Sequence, residues 1–142
     1  MACNTAHMFM EQFELSIGHK ITSMIDVTIE DITSRNLKKI GLLASPNTFK
    51  SGLYARPLRR TGVIIETVTN QELQKLEELI RRVIANQTDS SLKKDLEVIV
   101  DRMVRSGCEA IILGCTELSV INGLNPIKYT IDPLTLIAKQ LV

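Results

Sequence analysis

Gly107-Cys108-Glu109-Ala110-Ile111-Ile112-Leu113-Gly114-Cys115-Thr116-Glu117-Leu118 reads as a buried strand that ends in an elbow. Ala110 to Gly114 carries no polar side chain, so neither face seeks water, which is the pattern of a strand inside a parallel sheet. Cys115-Thr116-Glu117 then turns the chain into a short helix. Upstream, Lys39-Ile40-Gly41-Leu42-Leu43-Ala44 is a second such run, stopped by the turn-forming Ser45-Pro46-Asn47. Val63 to Val68 and Tyr129 to Ile131 supply two further strands.

Helical patterns fill the intervals. Asn4 to about Ser16 places Met8, Phe9, Phe13 and Ile17 at helical spacing, with Gly18 as its stop. Ile21 to Ile25 reads as strand-like or extended, and a helix follows from about Val27 to Arg35. A helix over Ser51 to Arg60 is interrupted or restarted near Pro57. Two amphipathic helices cover Asn70 to Asn86 and Ser90 to Ser106; in the second, Leu92, Leu96, Ile99, Val100, Met103 and Val104 share one face. Asp132 caps a short last helix that opens on Pro133 and runs towards Val142. Strands alternating with helices give an α/β fold, a small parallel sheet with helices on both faces.

The bulk properties narrow the function. The chain has 142 residues, 44% hydrophobic and 23% charged, enough for one well-buried domain. A net charge of +1, spread along the chain without a basic stripe, speaks against nucleic acid and anionic membranes. No apolar run reaches the roughly 20 residues of a membrane span, and no signal peptide is legible. Three cysteines without zinc-ligand spacing suggest neither a disulfide framework nor a metal site, so free thiols in the cytoplasm are expected.

Two stretches carry chemistry: Cys3-Asn4-Thr5-Ala6-His7 and Gly114-Cys115-Thr116-Glu117-Leu118. Each sets a cysteine at a helix start, and the second follows a buried strand, where α/β sheets bind ligands. A helix N-terminus favours anions and is expected to lower a thiol's pKa towards the reactive thiolate. Asn4, Thr5 and Thr116 offer hydrogen bonds to a carboxylate. Ser45 and Thr48 are further anion-binding candidates, although Ser-Pro-Asn-Thr is also an ordinary turn. A lone cysteine is more often a packing residue; two, each with hydroxyl or amide neighbours at an elbow, move the balance towards chemistry and leave both readings open. Cys108, entering its strand, reads as a small core residue. His7 lies one helical turn from Cys3 and either tunes the thiol or is a satisfied polar group.

The two elbows, a little over a hundred residues apart, resemble the cysteine motifs of the aspartate/glutamate racemase family. IGLLASPNTFKSGLY, SMID, GCEAIILGCTEL and YTIDPLTLIA resemble that family's other segments in order and spacing. The resemblance covers the whole chain. It implies a racemase without pyridoxal or any other cofactor, acting on a small amino acid, aspartate before glutamate, in a cleft between two α/β lobes. Cys3 and Cys115 would be the acid/base pair on opposite faces of the substrate Cα. Asn4, Thr5 and Thr116, with Ser45 and Thr48, would hold its carboxylate. Relatives acting on hydantoins or maleate also use two cysteines.

The departures from the family shape the remaining expectations. Relatives carry a set of strands and helices ahead of the first cysteine motif that has no counterpart here, and Met1-Ala2 resembles the end of a strand. Ala85 stands near the place of a lysine frequent in the family. Residues 1–20 are therefore expected to be a remnant of a first lobe, and residues 21–142 a second lobe that folds by itself. The first helix would lie loose or pack on a second copy in a homodimer. Three functional readings follow: a racemase completed by self-association, a silent lobe that binds a small anion or a partner chain, and a flavodoxin-like module. The last lacks an acidic phosphoacceptor pocket or phosphate loop at its strand ends.

Overall fold

The computed structural model describes residues 1–123 and 125–140; the expected end of the last helix at Val142 lies outside the described residues. Four parallel strands form one sheet in the order β2-β1-β3-β4: β1 Lys39–Ala44, β2 Ile64–Glu66, β3 Ala110–Gly114 and β4 Thr130–Ile131. The central ladder runs from Ile40 opposite Ala110 to Ala44 opposite Gly114. A 3-10 turn, Thr5–Phe9, leads into α1 Met10–Ile17, and α2 Met24–Ser34 precedes β1. Then come α3 Pro46–Ser51, α4 Ala55–Arg60, α5 Asn70–Ile84, α6 Ser90–Arg105, α7 Thr116–Asn122 and α8 Pro133–Gln140. Among these helices none is long and apolar enough to cross a membrane.

The two central strands explain the two-sided core. Successive side chains of a strand point to opposite faces. Leu43, Ile111 and Leu113 meet Leu76 and Leu79 of α5, Leu96, Ile99 and Met103 of α6, and Leu118 of α7. Ile40, Leu42, Ala44 and Ile112 meet Met24, Ile25 and Ile32 of α2, Tyr54, Leu58 of α4 and Ile137 of α8. Each fully buried leucine or isoleucine here contributes about 1.5–3 kcal/mol relative to exposure.

Polar ties fix the periphery. Thr69 and Glu72 form a reciprocal capping box at the start of α5. The Arg102 guanidinium grips Glu72 through two N–H groups, at 2.8 and 2.6 Å, and also reaches Glu66. Lys39 closes the same network on Glu66 at 2.7 Å. Cys108 is buried at the entry to β3, as expected of a packing residue, and burial pushes its thiol pKa up.

Three local expectations change. Ile21 to Ile25 is not a strand: α2 begins at Met24, because the Ser23 hydroxyl caps the Asp26 amide at 3.1 Å and Met24 and Ile25 face the core. Ser45-Pro46-Asn47 is not a free turn but the start of α3, with Ser45 as cap, Pro46 in the first turn and Gly52 ending it at φ 66°. A separate α4 then carries Pro57 in its first turn, where a missing N–H breaks no helical bond. The second strand is shorter than Val63–Val68, since only Ile64 to Glu66 pairs with β1 at this sheet edge.

The site end of the sheet is tightly packed. A Cβ on Gly114 would lie 3.0 Å from both Ala44 Cβ and Leu42 Cδ1 and 3.1 Å from the Leu43 carbonyl oxygen. Gly114→Ala should therefore cost about 1–3 kcal/mol through overpacking, read as a lower urea midpoint. An unchanged midpoint would show that β1 and β3 separate there without strain.

Candidate active site

Cys115 follows β3 directly and is the N-cap residue of α7. It is 9% exposed, and its Sγ lies 2.8 Å from Glu117 Oε2, to which the Thr116 hydroxyl also donates at 3.2 Å. The S–H therefore points at a carboxylate. A thiolate here would be buried and would face a second negative charge, so the Cys115 pKa is pushed up to about 12, by burial first and then by Glu117. This corrects the expected lowering by the helix start: desolvation and the adjacent carboxylate outweigh the backbone contribution of a short helix. Cys3 lies near enough for a thiolate there to raise Cys115 further. The two cysteines thus share one electrostatic neighbourhood.

Cys3 itself is exposed, on a segment held by the Met1 ammonium, which donates to the Thr22 carbonyl at 3.0 Å, and by three side chains. Asn4 is 3% exposed, and its Oδ1 accepts the Tyr54 hydroxyl proton. Thr5 Oγ1 lies 3.1 Å from Thr48 Oγ1, which lies 3.2 Å from Ser45 Oγ, so three hydroxyls form a chain. His7 Nε2 accepts the Met24 amide at 3.2 Å. That bond leaves the proton on Nδ1, which donates to the Cys3 carbonyl at 2.7 Å. The His7 ring thus clamps the Cys3 backbone to the start of α2 and is a satisfied polar group. It does not bond the thiol.

Of the residues singled out in the sequence, Thr5, Thr48 and Ser45 come together, Asn4 stands beside them in the chain, and Thr116 shares Glu117 with Cys115. Thr48 also lines a cavity of about 340 Å³ with Leu42, Phe49, Arg59 and Leu73, which neither cysteine lines. Two participants were not assigned from sequence. Glu117 stood in view two residues from Cys115, but only its side-chain direction makes it a partner. Tyr54 is 50 residues from Asn4, and no local pattern signals the pairing. Asn4 Nδ2 is buried without a hydrogen-bond partner. No group of three His, Cys, Asp or Glu side chains among the described residues is arranged to hold a metal.

Beyond the clamp, α1 leaves the body of the protein. It has no buried residue, and Phe9, Phe13, Leu15 and Ile17 are 48%, 44%, 78% and 55% exposed. Phe9 and Phe13 stack edge to face at 6.5 Å.

A family model described as Asp/Glu/Hydantoin racemase matches residues 1–141. The chain is 28% identical over 142 residues to a glutamate racemase of Limosilactobacillus reuteri (strain DSM 20016), covering 94% of this chain and 51% of that protein. It superposes on the Picrophilus torridus aspartate racemase with a TM-score of 0.77 and 26% identity, covering 98% of this chain and 60% of that one. An aspartate racemase homologue from Pyrococcus horikoshii OT3 gives a TM-score of 0.77 at 24% identity, covering 97% and 62%. The chain therefore spans 51% of the glutamate racemase and 60% of the aspartate racemase it matches.

The His7 clamp has a pH signature. Burial lowers the imidazole pKa below its free value of 6.5, so the fold binds this proton less readily than the unfolded chain does. The clamp's contribution is full above about pH 6.5 and is lost as pH falls through the lower folded-state pKa. Urea titrations from pH 7.5 to 5 should show stability falling more steeply in the wild type than in His7→Gln. Parallel curves would show that the ring carries no such linkage.

Proposed function

The chain belongs to the Asp/Glu/hydantoin racemase family, and from that premise we propose that Cys3 and Cys115 form an acid/base pair acting at the Cα of an acidic amino acid. Aspartate is the first candidate, supported by the likeness to an aspartate racemase, and glutamate the second. The observation that carries this reading is the Cys115 S–H held on Glu117 with Cys3 in electrostatic range.

Racemisation through two thiols needs one sulfur ionised and one protonated at the start of each turnover. The high pKa of Cys115 keeps it protonated at neutral pH, which suits the role of acid. Cys3 as thiolate takes the Cα proton and becomes a thiol. The electron pair left on Cα then takes the Cys115 proton from the opposite face, leaving a thiolate beside Glu117. Exchange of both sulfurs with water restores the starting state. Asn4, Thr5, Thr48 and Ser45 supply donors for the substrate carboxylate, and Thr116 joins them once its hydroxyl turns away from Glu117. The scheme draws on no cofactor.

A second reading has its own support. Cys3 is open to solvent and α1 presents uncovered apolar side chains, so the chain by itself would be a silent lobe that binds a small anion. Packing of a second copy, or of another partner chain, on α1 would cover the phenylalanines and shield Cys3 from water. Self-association belongs to the active form of the proposal.

The test is solvent deuterium incorporation at Cα of L- and D-aspartate and L- and D-glutamate, at several protein concentrations. The racemase reading expects exchange that rises more than linearly with concentration and is abolished by Cys3→Ser and by Cys115→Ser. Absence of exchange from the folded chain at every concentration selects the silent-lobe reading. Glu117→Gln removes the charge that opposes the Cys115 thiolate. Its iodoacetamide labelling at Cys115 should accelerate, by up to about tenfold for each unit the pKa falls. Equal labelling rates would remove Glu117 from the mechanism.

A further inference from the structure

We infer that Tyr54 is a positioning residue that turns the Asn4 amide so that Nδ2, rather than Oδ1, is offered to the substrate carboxylate. This rests on the reading of Asn4 as a carboxylate-binding residue.

Tyr54 is fully buried, just ahead of α4, among Met24, Ile25 and Leu58 on one face of the sheet. A phenol in such a core needs a hydrogen-bond partner, because an unsatisfied buried hydroxyl is costly. That partner is Asn4 Oδ1. Burial also raises the phenol's pKa well above its free value, so the group stays a donor throughout the pH range of interest. A carboxamide has one acceptor oxygen and one donor nitrogen on opposite sides of its Cγ. Once the phenol has claimed the oxygen, the nitrogen must face the other way.

The consequence is visible. Asn4 Nδ2 is, among the described residues, the buried side-chain polar atom without a partner. Folded proteins rarely strand such a donor, and an exception calls for an explanation. An acceptor on a ligand is one. The flanking residues fit it: Cys3 precedes Asn4, and Thr5 begins the hydroxyl chain through Thr48 to Ser45. A flipped amide would present Oδ1, whose negative end repels a carboxylate and suits an ammonium group instead. The phenol O–H thus selects the sign of the charge that Asn4 reads. His7 and Tyr54 divide the work on this segment: one fixes the Cys3 backbone, the other the rotation of the neighbouring amide.

The experiment follows the Asn4 side-chain amide by 15N–1H NMR in wild type, Tyr54→Phe and Asn4→Asp, without ligand and during titration with L-aspartate. In the wild type, the Nδ2 protons are expected to move as aspartate is added. In Tyr54→Phe, the ligand-free Asn4 amide signals should shift towards averaged, freely rotating values while the remaining spectrum is kept, and aspartate should bind about tenfold more weakly. Asn4→Asp keeps an acceptor for the phenol but loses the donor, and should bind aspartate more weakly still. Unchanged Asn4 signals in Tyr54→Phe overturn the inference. Should that variant not fold, the wild type still decides: Nδ2 protons that contact the phenol oxygen and ignore bound aspartate overturn it equally. Failure of the wild type to bind aspartate defeats the carboxylate reading, and the ligand-free amide signals still report whether Tyr54 holds Asn4.

Discussion

The ladder between β1 and β3 is the constraint on which everything else is hung. Both strands are buried on both faces, and their register sets Ala44 opposite Gly114 at the site end. One residue further along each strand, Ser45 and Cys115 begin the two helices that carry the polar groups of the site. The pairing that closes the core therefore also sets the starts of α3 and α7 side by side. A slip of one residue would exchange the faces of the strand and move Ser45 away from Cys115 together. The contact of Gly114 with Leu42, Leu43 and Ala44 opposes such a slip through close packing.

The segment that brings Cys3 is held differently. It has no strand of its own in the sheet and relies on side-chain hydrogen bonds from Asn4, Thr5 and His7 to residues far along the chain. Such bonds each contribute about 0.5–1.5 kcal/mol net, enough to orient a short turn but less than a buried helix face. The contrast with α1 is direct: where those bonds stop, the next two turns bury nothing. α1 buries no residue, whereas the turn before it is held by the Asn4, Thr5 and His7 side chains.

Electrostatics at the two sulfurs is unequal by construction. Cys115 is buried, faces a carboxylate and holds its proton strongly, while Cys3 stands in solvent. The asymmetry comes from where each cysteine sits in the fold: one at the end of a fully buried strand, the other on a surface turn.

The sequence by itself determined the strands β1 and β3, through apolar runs that suit only two-sided burial. It also determined the amphipathic helices α5 and α6 and the cap of α8 by Asp132. Each of these is written in neighbouring residues and in periodicity. The start of α2 is hidden in the sequence because Ile21 to Ile25 is apolar without a period, although Ser23 and Asp26 carry the cap. Tertiary structure decided the rest. It decided that Cys115 is harder to ionise than a free thiol, since desolvation depends on what packs around the sulfur and Glu117 matters only through its rotamer. It decided that His7 serves the backbone, because its partner amide at Met24 is 17 residues away. It also decided that Asn4 is turned by Tyr54. Hydrogen bonds between distant residues leave no period and no local composition, so they exist for the reader only once the chain has folded.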